Sequence, residues 1–363
     1  FDEIYENGKY AIYIKDAAGN NNDTEVEITH IGHYMVARIV SAPAGYESLI
    51  GTEYETLEEA LSTSDEAAQN GNVKIEIIHN IQNESNTILE DRDYTINLNN
   101  YYINNSVGDT TLTVDGKLTI VDEKISLTEA GKVSSPFGTA VYIGLSGEFT
   151  LGADDSKTPN ILSPVIEGKD YGIQKEIDYT AEKVYDENTE KYYYPEGVFK
   201  FYDGKIIGKT AFMLQRVNDT PALYDPTVIT NSETGNQEST LAIVSGIEAV
   251  IGKKRYMLLE DAIADANTVV GDSDTQVEIT IVRDLSKDAE HKVVVDETKN
   301  IKLDLNGYVF TTTTTDYVLE NYGQLEIYDS SEEKDEETGE IITAGTGTIT
   351  SSTTSTILNS IRS

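Results

Sequence analysis

Self-similarity constrains this chain more than any other feature. Leu57-Glu58-Glu59-Ala60-Leu61 returns as Leu259-Glu260-Asp261-Ala262-Ile263, and Val73-Lys74-Ile75-Glu76-Ile77 returns as Val277-Glu278-Ile279-Thr280-Ile281. Ile96-Asn97-Leu98-Asn99-Asn100-Tyr101 returns as Leu303-Asp304-Leu305-Asn306-Gly307-Tyr308, and Gly116-Lys117-Leu118-Thr119-Ile120-Val121-Asp122 as Gly323-Gln324-Leu325-Glu326-Ile327-Tyr328-Asp329. A weaker block pairs Gly131–Ser135 with Gly347–Ser351. Blocks in one order at nearly one offset mark a tandem repeat, one copy complete and the second cut off partway.

Each copy has two parts. Thr56-Leu57-Glu58-Glu59 fits a capping box, in which the Thr hydroxyl accepts from the amide three residues on. Leu57, Ala60 and Leu61 then share one helical face. The second copy keeps the face as Leu259, Ala262 and Ile263 but lacks the Ser/Thr cap. A long series of short strands follows. Ile75 and Ile77 alternate with Glu76, Leu303 and Leu305 with Asp304, and Leu325 and Ile327 with Glu326, so one strand face is expected buried and the acidic one wet. The turns between strands include Asn306-Gly307, Asp115-Gly116 and Asp203-Gly204. Such dipeptides suit a meander of hairpins. A solenoid of stacked coils is the alternative. It is favoured by the helix available to cap each strand series and by over a hundred residues of strand pattern without a further helical period.

Read together, the helix, the Val/Ile strand, Leu303–Tyr308 and Gly323-Gln324-Leu325-Glu326-Ile327-Tyr328-Asp329-Ser330 resemble the right-handed parallel β-helix units of secreted Gram-positive cell-surface proteins, relatives of the pectate-lyase fold. Gly197–Gly208 resembles a later coil. The resemblance covers about residues 35 to 363. It implies an all-β fold: a parallel β-helix solenoid in tandem units, each with a short N-terminal capping helix. At Asn100 the pattern has Gly, but Asn tolerates a left-handed backbone. Gly8–Asn20 followed by Val26-Glu27-Ile28 resembles the last two strands of a bacterial immunoglobulin-like domain, a hairpin that is not stable alone. The expected organisation is 1–32 for that incomplete domain, 33–240 for the first β-helix unit and 241–363 for the truncated second. Because the chain begins at Phe1 inside a patterned segment, it is expected to be part of a longer protein.

Composition narrows the function. With 64 Asp and Glu against 27 Lys and Arg, the formal net charge is −37. Such a chain repels nucleic acid. No stretch approaches 18 apolar residues, so no membrane insertion is expected. The absence of Cys removes disulfides and thiol chemistry. The resemblance implies an extracellular, structural or adhesive rod at the bacterial surface, with glycans or cell-surface proteins as partners. A polysaccharide lyase or glycoside hydrolase is a second expectation, and a mechanical spacer a third. Lyase chemistry needs a base and a cation to neutralise a uronate carboxylate. The six arginines (Arg38, Arg92, Arg216, Arg255, Arg283, Arg362) show no run with acidic metal ligands. No catalytic residue is expected.

Two sets of candidate residues remain. Tyr192, Tyr193 and Tyr194 follow a turn-rich stretch and fit a hairpin projecting from a coil, where at least one ring faces solvent and can stack on a sugar or a partner. Asp16, Asn20, Asn22 and Asp23 could offer oxygen ligands to Ca²⁺, the one cofactor considered, although the same residues are ordinary turn formers. His30 and His33 lack an evident third ligand for a metal. Thr311–Thr315 reads as a strand of stacked Thr, and the acidic run 332–337 as a solvated insertion.

Overall fold

The computed structural model describes residues 8–15, 21–28, 34–124, 130–154, 159–186, 190–266, 275–288, 292–312, 319–331, 333–334, 341–351 and 357–359. The fold is mostly β with largely parallel sheets. The chain divides into two compact units. One comprises Phe1–Ala153, Asn160–Asn218 and Val228–Ser239, the other Asp154–Pro159, Asp219–Thr227 and Thr240–Ser363.

In the first unit the chain visits three sheets in cyclic order. Val73–Ile77 enters sheet A, Ile81–Gln82 sheet B and Asn86–Ile88 sheet C. The next circuit is Asp93–Asn97, Tyr102–Asn104 and Thr110–Val114, then Lys117–Val121, Lys132–Ser135 and Thr139–Ile143. Glu148–Leu151, Val165–Gly168 and Tyr171–Lys175 follow, and Val198–Phe201, Lys205–Gly208 and Thr210–Met213 close the series. Each strand pairs in parallel with its counterpart one circuit away.

In-register pairing stacks like positions. On sheet A, Val73, Tyr94, Leu118, Phe149 and Phe199 form one ladder, and Ile75, Ile96, Ile120, Leu151 and Phe201 a second. On sheet B the ladder is Ile81, Ile103, Val133, Ile166 and Ile206. All of these side chains are buried. The period-two pattern is thus the inward face of a stack: two apolar rungs per strand on sheet A and one on sheet B, with burial and close packing as its main stabilisation. The helices sit at the start of the series. In α1 (Leu57–Thr63), Thr56 accepts from the Glu59 amide at 3.0 Å, and Leu57, Ala60 and Leu61 are buried. Asp65–Asn70 forms α2.

The second unit repeats the plan. Ala249–Ile251 and Lys254–Tyr256 lead into α3 (Leu259–Asp265), as Ala37–Ser41 and Glu53–Tyr54 lead into α1. Val277–Ile281, Asn300–Asp304 and Gln324–Tyr328 stack in parallel. So do Leu285–Lys287, Val309–Thr312 and Thr348–Ser351, and likewise Val293–Val295, Leu319–Asn321 and Ile357–Asn359. α3 has no side-chain cap, as its sequence implies; the Glu248 carboxylate accepts from the Leu259 amide instead, at 2.9 Å.

The repeated turns are corners between sheets rather than hairpins. Asn99 and Asn100 have φ of 51° and 65°, and Asn306 and Gly307 have 47° and 80°. Asn100 therefore does adopt the left-handed backbone its alignment with Gly307 requires. One carboxylate clamps each corner. Asp122 accepts from the amides of Asn100 at 2.7 Å and Gly131 at 2.6 Å, and Asp329 from those of Gly307 and Gly347 at the same two distances. Gly116 and Gly323 recur for a different reason. A Cβ on either would lie 2.2 Å from a carbonyl oxygen, that of Leu89 or Asp296, so only Gly fits.

Asp304 corrects the expectation that it lies on a wet face. It is 3% exposed, and its carboxylate accepts from the amides of Asn306 and Ser330, both at 2.8 Å. Backbone donors at the corner hold an acid where periodicity points to solvent. Glu76 and Glu326 do reach solvent, the first half-buried and the second exposed. Thr311 lies on Val309–Thr312 beside Thr350, with hydroxyls 3.3 Å apart, while 313–315 fall outside the described residues. Of the acidic run, Glu333–Lys334 pairs antiparallel with Ile341–Thr343. At the N-terminus, Gly8–Lys15 and Asn21–Ile28 form an antiparallel hairpin.

Candidate functional site

The strongest surface feature is a tyrosine hairpin in the first unit. Val184–Asp186 pairs antiparallel with Lys191–Tyr193, between Tyr171–Lys175 of sheet C and Val198–Phe201 of sheet A. The two strands form a sheet of their own, separate from the stacked sheets. Tyr185 stands opposite Tyr192, their rings 5.0 Å apart and tilted, and they are 47% and 65% exposed. Tyr179, 65% exposed, meets Tyr194 edge-on at 5.2 Å. The Lys183 ammonium lies 4.7 Å from the Tyr194 ring centroid.

Alternation splits the three sequence candidates. Tyr192 presents an open ring, while Tyr193, one residue on, is half-buried with the Arg216 guanidinium 4.4 Å from its ring centroid. Arg216 in turn pairs with Asp186, and burial pulls its pKa down. Tyr194 is fixed at the hairpin base: its amide donates to Gln215 Oε1 at 3.1 Å, and Gln215 Nε2 returns a bond to its carbonyl at 3.0 Å. Tyr179, Lys183 and Tyr185 belong to the same patch but were not singled out by sequence. Pairing Lys191–Tyr193 with Val184–Asp186 would have found Tyr185 opposite Tyr192.

A second feature is a polar trough of about 540 Å³ on the outer face of sheet B. Register places Gln82, Asn104, Ser134 and Glu167 on one outward ladder. Gln82 donates to the Tyr102 hydroxyl at 2.7 Å, Ser134 to Asn104 at 2.9 Å and Lys132 to Glu167 at 2.9 Å. Glu167 is the one carboxylate lining the trough, and it is neutralised by Lys132. Glycoside hydrolysis by general acid and base requires two facing carboxylates, so this lining suits hydrogen bonding better than hydrolysis.

The other candidates are not brought together. Asp16, Asn20, His30, His33 and His291 lie outside the described residues. Asn22 and Asp23 are on the Asn21–Ile28 strand, Asp23 opposite Tyr13. His79 donates to the Met35 carbonyl at 2.8 Å and lies between the rings of Tyr34 and Tyr101. Among the described residues, no three His, Cys, Asp or Glu side chains gather as a metal-holding group. Each described arginine is paired with a carboxylate: Arg38 with Glu53 and Glu76, Arg92 with Asp65, Arg216 with Asp186, Arg255 with Asp225, and Arg283 with Glu248. No described helix is long and apolar enough to cross a membrane.

Compared with known proteins, the chain matches no family model, no curated protein and no solved structure.

Proposed function

We propose that this chain is an adhesive module of a bacterial cell-surface protein, a right-handed parallel β-helix in tandem units that holds a glycan against its tyrosine hairpin. The cyclic order of three parallel sheets and its recurrence in the second unit support the β-helix reading, and parallel crossovers are almost always right-handed. The Gram-positive surface location, and the immunoglobulin-like origin of the N-terminal hairpin, rest on the sequence blocks that resemble such proteins.

One observation carries the binding reading: Tyr185 and Tyr192 expose adjacent rings on a hairpin that contributes no rung to the core ladders. Adjacent exposed rings form a contiguous apolar patch of the kind that marks an interaction site, and a flat ring with a hydroxyl suits the apolar face and hydroxyls of a sugar. The net charge of −37 favours neutral or cationic glycans over uronate polymers. Screening the full chain on immobilised bacterial and host polysaccharides should give retention on at least one neutral class. Retention on none would leave a spacer. The lyase or hydrolase alternative is read in the same samples as unsaturated uronate absorbance or new reducing ends, with and without Ca²⁺; either product would replace the adhesive reading.

A further inference from the structure

An inward ladder of sheet C changes character at its fourth rung. Ile88, Val114 and Ile143 stack in register, and Lys175 follows where a fourth aliphatic side chain would continue the core. The Lys175 side chain is 0% exposed and that of Glu196 is 1% exposed. Lys175 Nζ lies 3.1 Å from Glu196 Oε1, 2.8 Å from the Arg216 carbonyl and 2.6 Å from Asn218 Oδ1. Asn218 Oδ1 also accepts from the Phe199 amide at 2.8 Å. Breaking into an apolar ladder with a charged pair costs more than a hydrophobic residue of similar volume, so packing alone does not account for this lysine.

What surrounds it is the equipment for acyl transfer. The amine is a nucleophile held one bond from a carboxamide carbon. A backbone N–H on the carboxamide oxygen is placed to stabilise an oxyanion. A buried carboxylate touches the amine and can carry its proton. Burial pushes the Lys175 amine down to about 8, against the attraction of Glu196, which brings the neutral form within reach. The one further lysine buried among the described residues, Lys287, makes the contrast: it pairs with Glu248 at 2.5 Å and Glu260 at 2.7 Å, and a carboxylate does not acylate an amine.

We propose that Lys175 and Asn218 become joined by an intramolecular amide bond that the protein forms by itself, with Glu196 as the proton carrier. A proton passes from the Lys175 ammonium to Glu196, and the neutral Nζ attacks Asn218 Cγ. The negative charge on Oδ1 is held by the Phe199 N–H. The carboxamide C–N bond then breaks as Glu196 returns its proton to the leaving nitrogen. The nitrogen from Lys175 gives its second proton to the freed Glu196 carboxylate, which passes it to the departing ammonia, so that ammonium leaves and Glu196 ends ionised as it began. The product is a secondary amide, and the balance needs no oxidant, metal or co-reactant. The bond ties the Tyr171–Lys175 strand to the segment beyond Thr210–Met213, enclosing the tyrosine hairpin in a covalent loop. It is independent of what that hairpin binds.

The test is the intact mass of the purified full chain under denaturing conditions, after incubation at neutral pH. The expected mass is that of the sequence less one ammonia, with a protease digest yielding a branched peptide that joins Lys175 to Asn218. A mass equal to the sequence overturns the proposal and leaves Lys175 a buried ammonium with three acceptors. So does an ammonia loss that maps to a cyclised asparagine elsewhere. Glu196→Gln keeps the shape and one of the two acceptors that Lys175 and the Gln215 amide use, and should retain the full mass with an unchanged circular dichroism spectrum. Cross-linking of that variant at the wild-type rate would refute the role of Glu196. The wild-type mass decides the bond itself even if a variant fails to fold.

Discussion

Replacing Ile120 with Ala probes the stacked ladders directly. Ile120 is fully buried on sheet A, with Ile96 on one side and Leu151 on the other in register. The change removes three carbons, worth about 2.4 kcal/mol in transfer from water at roughly 0.8 kcal/mol each. Rungs above and below hold the backbone apart, so the site collapses only partly, and the residual cavity should bring the loss to about 3–4 kcal/mol. Its neighbour Thr119 faces outward between Thr95 and Thr150. Thr119→Ala should cost at most about 1 kcal/mol, mainly in strand propensity. Urea unfolding followed by far-ultraviolet circular dichroism measures both, with an unchanged m-value marking an unchanged unfolding reaction. Because a slip of one residue exchanges the two faces of a strand, a loss at Thr119 equal to or larger than that at Ile120 would refute the register and with it the core described above.

Two further outcomes concern the corners. Asn100 Oδ1 is buried without a hydrogen-bond partner, at a left-handed φ, where the second copy has Gly307. Asn100→Gly should therefore stabilise by about 1 kcal/mol in urea unfolding, since relief of the orphaned acceptor and of the backbone strain exceeds the entropy cost of Gly. At the equivalent corner of the second unit, burial pushes the Asp329 carboxyl up. Bonds from Ser331 and from the amides of Gly347, Gly307 and Ser331 outweigh that and hold it below the usual carboxylate range. A depressed folded pKa contributes stability that is present above the unfolded value of about 3.9 and is lost as pH falls through the folded one. Wild type should lose more stability than Asp329→Ala between neutral pH and about pH 3, and equal losses would show that this carboxylate is not linked to folding.

What could be read from sequence was local. The helix face at Leu57, Ala60 and Leu61, the Thr56 cap, the left-handed Asn100 and the hairpin before Tyr192 each depend on neighbours within a few residues. Pairing was harder. Asn306-Gly307 is as good a hairpin signal as a corner, and only contacts across a whole circuit decide between them, such as Leu303 beside Ile327 in the second unit or Ile96 beside Ile120 in the first. The buried Asp304 was missed because periodicity ignores backbone donors that arrive from the next corner. Lys175 was missed for the same kind of reason: its partners Glu196 and Asn218 come from beyond the hairpin. Of the candidate site, Tyr192 was legible in a run of three Tyr, but its neighbours Tyr179 and Tyr185 needed the strand register.

The acidic surface fits the same picture. Negative charge on outward positions such as Glu76 and Glu326 discourages edge-to-edge association. Within it, the tyrosine hairpin sets exposed rings side by side, Tyr185 against Tyr192.

The most direct measurement of glycan binding there compares wild type with the Tyr185→Ala/Tyr192→Ala double variant on the neutral polysaccharide that retains wild type best. Each exposed ring is expected to supply about 0.5–1.5 kcal/mol of stacking. The pair should therefore cost at least about fivefold in Kd, with urea unfolding unchanged within about 0.5 kcal/mol because neither ring supports the core. Equal affinities for the two proteins would contradict the account and move the search for the ligand to another face.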